Sequence, residues 1–549
     1  MTVIRVPVLI VGGGIVGLSA SLFLADHRID SILVERHADT SIHPRSRSVN
    51  ARTMEIYRSL GIDEAVRAAG STLSPSMGIY TGTSLREVIE SKPRKEGPRK
   101  FPGSGLLGSI SPVTGAWGTQ DMIEPVLLAT ARERGVDARF YTECIAVEQD
   151  DNGVTAILRE RESGTTYTVC ADYLIAADGA GSPIRKRLGV ETSGMGTMGH
   201  LLNILFLADL KDLVRQREFS LCIIERPEVF GLFTAINNDD RWVFHLSYDP
   251  SRGENAEDFP PERCKEILRV ALGIPDIEID IKSILPWQPS VRIADKFQHG
   301  RIFLAGDAAH QMPPWAGQGA NSGVADAHNL AWKIALVLKG HAGPGLLSTY
   351  DTERLPVGRT AAEVSASAAD ARGVISMKIT LSLILGAFNR IYIASGHGYT
   401  YSSQAVVVEN TFPLGGITWR PWSIASMVAL DGRPGSRAPH VWIEYQGKRI
   451  STLDLFGKTF VLLAGSDGEP WCEAARKAST ALDIDVDCYI AGPKGNLTDP
   501  NCQWQTAAGI SSQGALLVRP DGFIAWRERR LLADCQQKLE LVLKQVLSR

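Results

Sequence analysis

Short apolar runs and a longer apolar segment alternate at the start of the chain. Val8–Val11 is a continuous apolar run, typical of a strand buried on both faces. Ile15–Ala25 follows as a segment rich in leucine and alanine that is long enough for a helix. Ser31–Val34 is the next apolar run. The pattern therefore predicts a strand, a helix and a second buried strand in succession.

Apolar and polar positions alternate instead between His200 and Trp287. Alternation of this kind predicts an antiparallel sheet with one covered and one solvated face. The chain has 549 residues, enough for about two to four domains with buried cores. The alternating runs are Asn203–Ala208, Phe219–Ile224, Phe230–Ala235 and Trp242–Tyr248.

The turn after the first strand has the glycine spacing of a dinucleotide-binding loop. Gly12 permits a tight turn, Gly14 lets the backbone approach a pyrophosphate, and Gly17 allows the helix to pack closely on the strand. Glu35 ends the second strand, where a carboxylate can accept a hydrogen bond from a ribose hydroxyl and favours FAD or NAD over NADP. Glycine-rich turns also close ordinary strand–helix units. The combination of strand, helix and acid in register predicts the dinucleotide site.

Composition adds mainly exclusions. The net charge of −3 gives no general attraction to nucleic acid or to an anionic membrane. Met1–Pro7 leads directly into the first strand without a signal-peptide pattern, and the apolar stretch Ile379–Phe388 is too short to span a bilayer. The eight cysteines include no CxxC pair, so we expect neither a metal site nor a disulfide framework. The expected location is a reducing cytoplasm, with no nucleic-acid partner and no membrane span.

Two later segments add to the glycine-rich loop. Asp178–Ser182 follows the apolar run Tyr173–Ala177, and Gly306–His310 follows a second run and leads to Gly317–Asn321. In this order the three motifs resemble those of the single-component FAD-dependent aromatic hydroxylases of the para-hydroxybenzoate hydroxylase type. Over essentially its whole length the chain looks most like the branch that hydroxylates phenols and polyketide-derived aromatics and carries an extra C-terminal domain.

This resemblance implies a fold of three parts. They are an α/β FAD-binding domain, Rossmann-like and doubly wound, an inserted antiparallel-sheet substrate domain, and a C-terminal thioredoxin-like domain. The expected limits are 1–75, 105–195 and 290–400 for the FAD-binding domain, 76–104 and 196–289 for the substrate-binding middle domain, 401–435 for a linker, and 436–549 for the C-terminal domain.

The C-terminal part lacks one feature of a thioredoxin. Trp471-Cys472 falls near the place of the thioredoxin Trp-Cys-x-x-Cys motif, but the second cysteine position is Ala475. We therefore expect no disulfide chemistry there. The roles that remain for the C-terminal domain are packing against the rest of the chain or forming the contact surface of a homodimer.

In the family, the segment at Asp178 lies near the FAD pyrophosphate and takes part in binding FAD and NAD(P)H. From the residues alone, Asp178 fits equally well as a turn after a buried strand. Asp307 ends a buried strand, where its carboxylate can bind the ribityl hydroxyls. The helix that begins near Gly317 would direct its positive dipole end at the flavin pyrimidine ring and stabilise the anionic reduced flavin.

Four further segments resemble family features. Pro314 matches the residue whose carbonyl faces the substrate, whereas Trp315 departs from the small residue often found next. Arg45 lies in a loop that contacts the flavin as it swings, although an exposed basic loop is an equally good interpretation. Gln120 matches a glutamine that binds the FAD chain. Tyr350–Pro356 is a family signature with an expected structural role at the end of a helical region.

The resemblance assigns candidate residues to three roles. An aromatic residue on a strand more often packs in the core than contacts a ligand. Arg372 is expected late in a helix that begins at Thr360, and an arginine at such a helix end is more often solvated than functional. The cofactor candidates are Gly12, Gly14, Val16, Gly17, Glu35, Arg36, Arg45, Gln120, Asp178, Asp307, Gly317, Gly319, Ala320 and Asn321. The substrate candidates are Phe206, Phe233, His245, Trp287, Pro314 and Trp315, and the catalytic candidates are Arg45, His245, Arg372 and Pro314.

The implied activity is monooxygenation with one non-covalent FAD. NADPH or NADH binds transiently and reduces the flavin, O2 adds at its C4a carbon, and the hydroperoxide transfers oxygen to an electron-rich aromatic or heteroaromatic substrate. His245, Asp370 and Arg372 are candidates for a base or a partner of a phenolate. Alternatives on the same fold are Baeyer–Villiger oxidation, epoxidation and antibiotic inactivation. An alternative from another class is a non-catalytic flavin binder.

Overall fold

The computed structural model describes residues 3–73, 78–94, 109–314, 317–367, 369–370, 372–375, 396–408 and 430–549. The strands within these residues, numbered along the chain, are β1 Val3–Val11, β2 Ser31–Glu35, β3 Ser48–Val49, β4 Ile79–Gly82, β5 Ala116–Trp117, β6 Asp137–Phe140, β7 Thr142–Gln149, β8 Val154–Glu160, β9 Thr166–Ala176, β10 Thr192–Thr197, β11 His200–Leu207, β12 Leu221–Arg226, β13 Val229–Ala235, β14 Arg241–Tyr248, β15 Asp280–Trp287, β16 Ser290–Ala294, β17 Gln298–His299, β18 Ile302–Leu304, β19 His310–Gln311, β20 Trp442–Tyr445, β21 Lys448–Ser451, β22 Phe460–Ala464, β23 Val486–Gly492, β24 Leu497–Thr498, β25 Ala515–Val518 and β26 Ile524–Glu528.

The helices within the same residues are α1 Ile15–Asp26, α2 Ala51–Ser59, α3 Asp63–Ala69, α4 Leu85–Glu90, α5 Gln120–Glu133, α6 Pro183–Arg187, α7 Lys211–Val214, α8 Pro261–Leu272, α9 Gln318–Leu338, α10 Gly345–Ser367, α11 Glu469–Leu482, α12 Gln503–Ala508 and α13 Cys535–Val546.

The first sheet has the order β17-β18-β9-β1-β2-β6, and β8 and β7 extend it beside β9. Strands β18, β9, β1, β2 and β6 run parallel, as expected for strands joined by helical crossovers. Residues 8–11 of β1 are buried, and α1 packs against both α5 and α9. The predicted strand, helix and strand at the start of the chain are confirmed by β1, α1 and β2.

The second sheet has the order β15-β11-β14-β13-β12-β4 and is antiparallel except where β4 joins β12. Its strands match the four alternating runs of the sequence. Helix α8 packs on one face, where its residues Cys264 and Leu268 share a core with Phe206, Phe233 and other aromatic side chains. The opposite face carries a smaller apolar cluster that includes residues of the loop after α10.

The geometry does not support Phe206 and Phe233 as residues that line a substrate pocket, because both side chains are buried in the core beneath α8. Phe206 pairs with Trp242 and Phe233 pairs with Phe244, so these side chains point to the face that α8 covers. His245 is adjacent to Phe244 and therefore lies on the other face. Alternation identifies which residues share a face, but the helix that covers one of the faces is a tertiary feature.

The C-terminal sheet has the order β21-β20-β24-β23-β22-β25-β26, with the helices α11 and α13 packed together on it. The sequence indicated no disulfide framework, and this expectation is wrong for Cys472, because a disulfide joins it to Cys488. Cys472 lies in the first turn of α11 and Cys488 on β23, with Cα atoms 5.4 Å apart. The partner is thus on the neighbouring strand, 16 residues along the chain, rather than within the helix.

Two other sequence expectations are also corrected. Arg372 is not late in a helix, because α10 ends at Ser367 and Arg372 lies in the turn beyond it. Tyr350–Pro356 lies inside α10 rather than at its end, with Pro356 within the helix. Ile379–Phe388 and Trp315 lie outside the described residues. Among the helices in the described part of the chain, none is both long and apolar enough to cross a membrane.

Candidate active site

The three sequence motifs meet at one edge of the first sheet. Gly12 follows β1, Ala177 follows β9 and Gly306 follows β18. The Ala177 N–H donates to the Val11 carbonyl at 2.8 Å, and the Ala305 N–H donates to the Ala176 carbonyl at 3.0 Å. Because these strands are parallel, their carboxyl ends form a crevice of the kind that binds ligands in open α/β sheets.

Glycine is required by contact at the first motif. Gly12 has φ +112°, and a Cβ atom there would lie 2.2 Å from the Ala177 carbonyl oxygen. A Cβ atom at Gly17 would lie 1.9 Å from the Gly12 carbonyl oxygen. Gly14 caps α1, so the helix N-terminus opens directly from this turn. Val16 packs instead toward the third motif, 2.8 Å from where a Cβ atom of Gly306 would be.

Glu35 lies beside this turn at the end of β2. Its Oε2 accepts from the Gly13 N–H at 2.7 Å, and its Oε1 accepts from the His37 N–H at 2.9 Å. Its side chain is 14% exposed. Arg36 is exposed, and its carbonyl accepts from Arg161 at 3.0 Å. The Glu35 carboxylate therefore borders the glycine turn, at the place expected for a ribose contact.

Asp307 lies where the third motif meets the N-terminus of α9. A Cβ atom at Gly319 would be 3.7 Å from Asp307 Oδ1, and Gly317, with φ +61°, is the N-cap residue of α9. Desolvation by the surrounding elements raises the pKa of the Asp307 carboxyl, and the charges of His310, Arg45 and Arg185 oppose this shift. Its side chain nevertheless has exposed surface. The carboxylate is thus accessible within a crevice and adjacent to a helix N-terminus, with half-buried Ala320 in the same turn.

A buried ionic group behind Asp307 was not predicted from the sequence. Asp326 accepts from the Gly306 N–H at 3.1 Å, from His310 Nε2 at 2.7 Å and from Arg354 Nε at 2.7 Å. Burial by itself would raise the pKa of Asp326, but His310 and Arg354 lower it to about 2. Asp326 therefore fixes the turn that presents Asp307. A charged residue inside a largely apolar helix was the available signal.

Asn321 joins the start of α9 to α2. Its Oδ1 accepts from the Asn50 N–H at 3.0 Å and from the Thr53 hydroxyl at 2.5 Å, while its Nδ2 donates to the Gly317 carbonyl at 2.5 Å. The side chain thus holds the first turn of α9 in place. Asn321 therefore shapes the crevice at the N-terminus of α9 without lying in its opening.

Asp178 has the geometry of a turn and helix cap. Its Oδ1 accepts from the Ser182 hydroxyl at 2.6 Å and its Oδ2 from the Ile184 N–H at 3.1 Å, at the start of α6. Burial raises the pKa of its carboxyl. Arg185 then donates to the Ala308 carbonyl at 2.7 Å. The second motif therefore supports the third through Arg185.

The Arg45 loop is held by its backbone, and its side chain is exposed. The Arg45 carbonyl accepts from the Gln120 N–H at 2.9 Å. Gln120 Nε2 donates to Glu124 Oε1 at 2.5 Å, and the same carboxyl accepts from the Ile15 N–H at 3.1 Å. Burial raises the pKa of Glu124. Glu124, which sequence reasoning had not singled out, links α5 to the N-terminus of α1; its signal was an acid one helical turn after Gln120.

A row of polar side chains crosses the face of the second sheet opposite α8. His245 Nδ1 and Asn203 Oδ1 are 2.6 Å apart, and His245 Nε2 and Thr234 Oγ1 are 3.0 Å apart. The Trp287 ring lies on the same face, 6.4 Å from the His245 ring. Burial, with His43 nearby, lowers the pKa of His245 to about 3. The geometry therefore does not support His245 as a general base, because both ring nitrogens have partners and the ring is weakly basic.

The remaining candidates are Pro314, Arg372 and Asp370, and each forms a hydrogen bond with a residue close to it in the sequence. Pro314 is exposed, and its carbonyl accepts from the Gly317 N–H at 3.1 Å. Arg372 is half exposed, pairs with Asp370 at 3.1 Å and lies 3.4 Å over the Phe230 ring. The guanidinium thus has a carboxylate partner of its own. Asp370 in turn accepts from the backbone of its own turn, which gives it the role of a turn residue.

Comparison with known proteins identifies the class of protein to which this chain belongs. The family model "FAD binding domain" matches residues 5–365, and "Aromatic-ring hydroxylase, C-terminal" matches residues 431–549. Tetracenomycin A2 monooxygenase-dioxygenase from Streptomyces glaucescens is 39% identical, over 100% of this chain and 98% of that protein. Aklavinone 12-hydroxylase RdmE from Streptomyces purpurascens is 37% identical, over 99% of each chain.

Solved structures agree with this class. A ternary complex of aklavinone-11 hydroxylase with FAD and aklavinone matches with a TM-score of 0.83 and 34% identity, over 100% of both chains. The flavin-dependent monooxygenase PieE in complex with FAD and substrate matches with a TM-score of 0.83 and 32% identity, over 99% of both chains.

The chain belongs to the single-component FAD-dependent aromatic hydroxylases. It is an FAD-dependent monooxygenase. The crevice fits FAD in two respects. The glycine turn before α1 has no room for side chains and leaves the N-terminus of α1 accessible. A carboxylate lies beside each of the two helix N-termini, Glu35 near α1 and Asp307 near α9.

Proposed function

We propose that this enzyme hydroxylates an electron-rich, polycyclic aromatic substrate of the phenolic, polyketide-derived type, with NADPH or NADH as transient reductant. Bound FAD, once reduced, supplies the activation of O2 and the transfer of one oxygen atom. The named relatives that act on tetracenomycins and aklavinone support the substrate class. The protein's own contribution is to bind and orient the ring system and to exclude water.

We also propose how the FAD is held. Glu35 would accept from the adenosine ribose, and the N–H groups at Gly14 would face the pyrophosphate. Asp307 would accept from the ribityl hydroxyls, and the α9 N-terminus at Gly317–Gly319 would face the pyrimidine ring. The contact distances at the glycine turn and the placement of Asp307 beside α9 support this assignment.

The observation that carries the substrate proposal is the polar row on the second sheet. Since Asn203 Oδ1 is an acceptor, His245 Nδ1 donates to it and His245 Nε2 accepts from the Thr234 hydroxyl. The Asn203 amide then has N–H groups to donate, and the Thr234 oxygen has a lone pair to accept with. Such a row can bind a carbonyl and a hydroxyl on one edge of a fused ring system.

The residues around the row are apolar. Leu201 and Leu232 lie on the same face, with Trp287 at its edge and Val374 packed against it. Apolar side chains on both sides suit a flat aromatic ligand, whereas a single polar row fixes its orientation. Neutral His245 keeps the row uncharged, which favours an uncharged phenol or quinone over a carboxylate.

The decisive experiment is a substrate panel with the FAD-loaded enzyme. Phenols, hydroxypyridines and polycyclic quinones are each tested for stimulation of NADPH and NADH consumption, and products are identified by mass and NMR. We expect the largest stimulation with a polycyclic phenol, giving a product with an added oxygen atom and an intact carbon skeleton. Ring expansion or an epoxide would replace hydroxylation with one of the alternative chemistries. No stimulation and no product across the panel would favour a flavin binder.

The polar row predicts a specific mutational result. Thr234→Val removes one hydroxyl of nearly unchanged size, and the lost hydrogen bond is worth about 0.5–1.5 kcal/mol. We expect the substrate KM to rise by about threefold to tenfold, with FAD affinity unchanged. Thr155→Val is the matched control, because Thr155 is an exposed position on β8 of the first sheet. An unaltered KM in the Thr234 variant would remove this residue from the substrate site.

We propose the domain division that the sequence indicated. The FAD-binding domain would comprise 1–75, 105–195 and 290–400, the middle domain 76–104 and 196–289, the linker 401–435, and a thioredoxin-like C-terminal domain 436–549. Separate hydrophobic cores under the first, second and C-terminal sheets support it, as does the pairing of β4 with β12. The parallel β22–β23 pair with antiparallel β25 and β26 supports the thioredoxin-like topology.

A further inference from the structure

A cluster of buried charges joins the C-terminal sheet to α9 and α10. Arg519 donates to both oxygens of Glu353, at 2.5 and 3.0 Å, and to both oxygens of Asp521, at 3.0 and 2.5 Å. Lys333 Nζ donates to Glu353 Oε2 at 2.8 Å. All four side chains are at most 2% exposed. None of these four residues belongs to the three sequence motifs that meet at the crevice.

The cluster is electrically balanced, with two carboxylates and two cations. Buried ions are costly unless they are paired with good geometry, and loss of one partner leaves an uncompensated charge. Burial would raise the pKa of Glu353, but Arg519 and Lys333 hold it well below its usual range. Glu353 is therefore ionised, and its position is fixed by directional, charge-assisted hydrogen bonds from Arg519 and Lys333.

One route leads from this cluster to Asp307. Glu353 is followed on α10 by Arg354, which is fully buried and donates to Asp326 Oδ1 at 2.7 Å. The other oxygen of Asp326 accepts from the Gly306 N–H, directly before Asp307. Movement of Glu353 would thus shift Arg354 and the turn that presents Asp307.

A second route leads to the start of α9. The Asp521 carbonyl accepts from Arg52 Nη2 at 3.0 Å, and Arg52 lies in the first turn of α2. The preceding Asn50 N–H and the following Thr53 hydroxyl both donate to Asn321 Oδ1. The same C-terminal turn is therefore connected to both sides of the proposed flavin crevice.

We propose that the turn at residues 519–523, here called the Arg519 turn, is a positioning element for FAD that sets Asp307 and the first turn of α9 relative to each other. The inference rests on the proposed placement of FAD at these two sites. It assigns the C-terminal domain a part in cofactor binding, in addition to packing. Arg519 and Asp521 act through other residues and touch neither FAD nor substrate.

The test uses the full chain with Asp521→Asn and Arg519→Lys, which preserve size or charge while weakening the cluster. FAD is removed and titrated back, with the Kd corrected for the folded fraction, and the visible circular dichroism of the bound flavin is recorded. We expect the Kd to rise tenfold or more and the flavin dichroism to change. Glu469→Gln is the control, because it breaks an exposed pair with Arg476 on the same domain; we expect wild-type values.

A cluster that only stabilises the fold would give a different result. The folded fraction of both variants would then bind FAD with wild-type Kd and dichroism, and this outcome would overturn the inference while Asp307→Ala still weakens FAD binding. The double variant Asp307→Ala/Asp521→Asn adds a second check. Action through Asp307 requires less than the sum of the two single effects, whereas full additivity would contradict that route. If Asp307→Ala alone retained wild-type FAD affinity, the proposed FAD placement would fail first, and the inference with it.

Discussion

Asp307→Ala should release most of the FAD from the purified enzyme. The carboxylate lies at the end of β18 and beside the N-terminus of α9, where we place the ribityl hydroxyls. Hydrogen bonds to a charged group are each worth about 1.5–3 kcal/mol, so loss of one or two should weaken FAD binding by about tenfold to a thousandfold or more. The FAD-to-protein ratio after gel filtration and a fluorescence titration of the FAD-free protein measure the effect.

Asp295→Ala provides the control, since Asp295 is exposed on the segment before β17. It should retain FAD like the wild type. Heat denaturation of the wild type should also release the yellow flavin into the supernatant, because we expect non-covalent binding. Full FAD retention by the Asp307 variant would contradict the assignment of its carboxylate.

The second large effect is expected in flavin reduction. We expect the true aromatic substrate to accelerate anaerobic reduction by NAD(P)H roughly a hundredfold or more, because its binding shifts the flavin toward the position that the nicotinamide reaches. The exposed Arg45 side chain lies near Asp307, and its loop backbone is held by Gln120. Arg45→Ala should slow the reduction while FAD remains bound. Stopped-flow absorbance at the flavin band measures both rates.

Arg252→Ala removes a guanidinium that is 83% exposed on the segment after β14 and serves as the comparison. Its reduction rate should equal that of the wild type. Equal rates with and without the confirmed substrate would exclude gating but leave the FAD site intact. An unchanged rate in the Arg45 variant would exclude only the proposed role of this arginine.

The parts of the fold that could be predicted are those determined by neighbouring residues. The glycines at 12 and 17 act within one turn, so their spacing alone indicated the loop that the structure contains. The strands of the second sheet followed from alternation. Phe206 and Phe233 were named as pocket candidates without regard to α8, which follows β14 and covers the face on which both side chains lie.

The remaining predictions failed because they depended on contacts between residues that are distant in the sequence. Cys472 was compared with a motif in which the second cysteine is three residues away, whereas its partner Cys488 lies on the next strand. His245 looked like a base because histidine commonly is one, but its neighbours Asn203 and Thr234 come from other strands. Asp326 and Arg354 are far apart in sequence, and only the packing of α10 on α9 unites them.

The buried cluster also limits how this chain can recombine with a relative. The two family matches end at residue 365 and begin again at 431, which suggests an exchangeable C-terminal module. A crossover between them would separate Arg519 and Asp521 from Glu353 and Lys333. A mismatched parent would bury an unpaired ion at a cost of about 3–5 kcal/mol, a large share of the stability of a typical domain. The chain is modular in sequence, but these four positions must be inherited together.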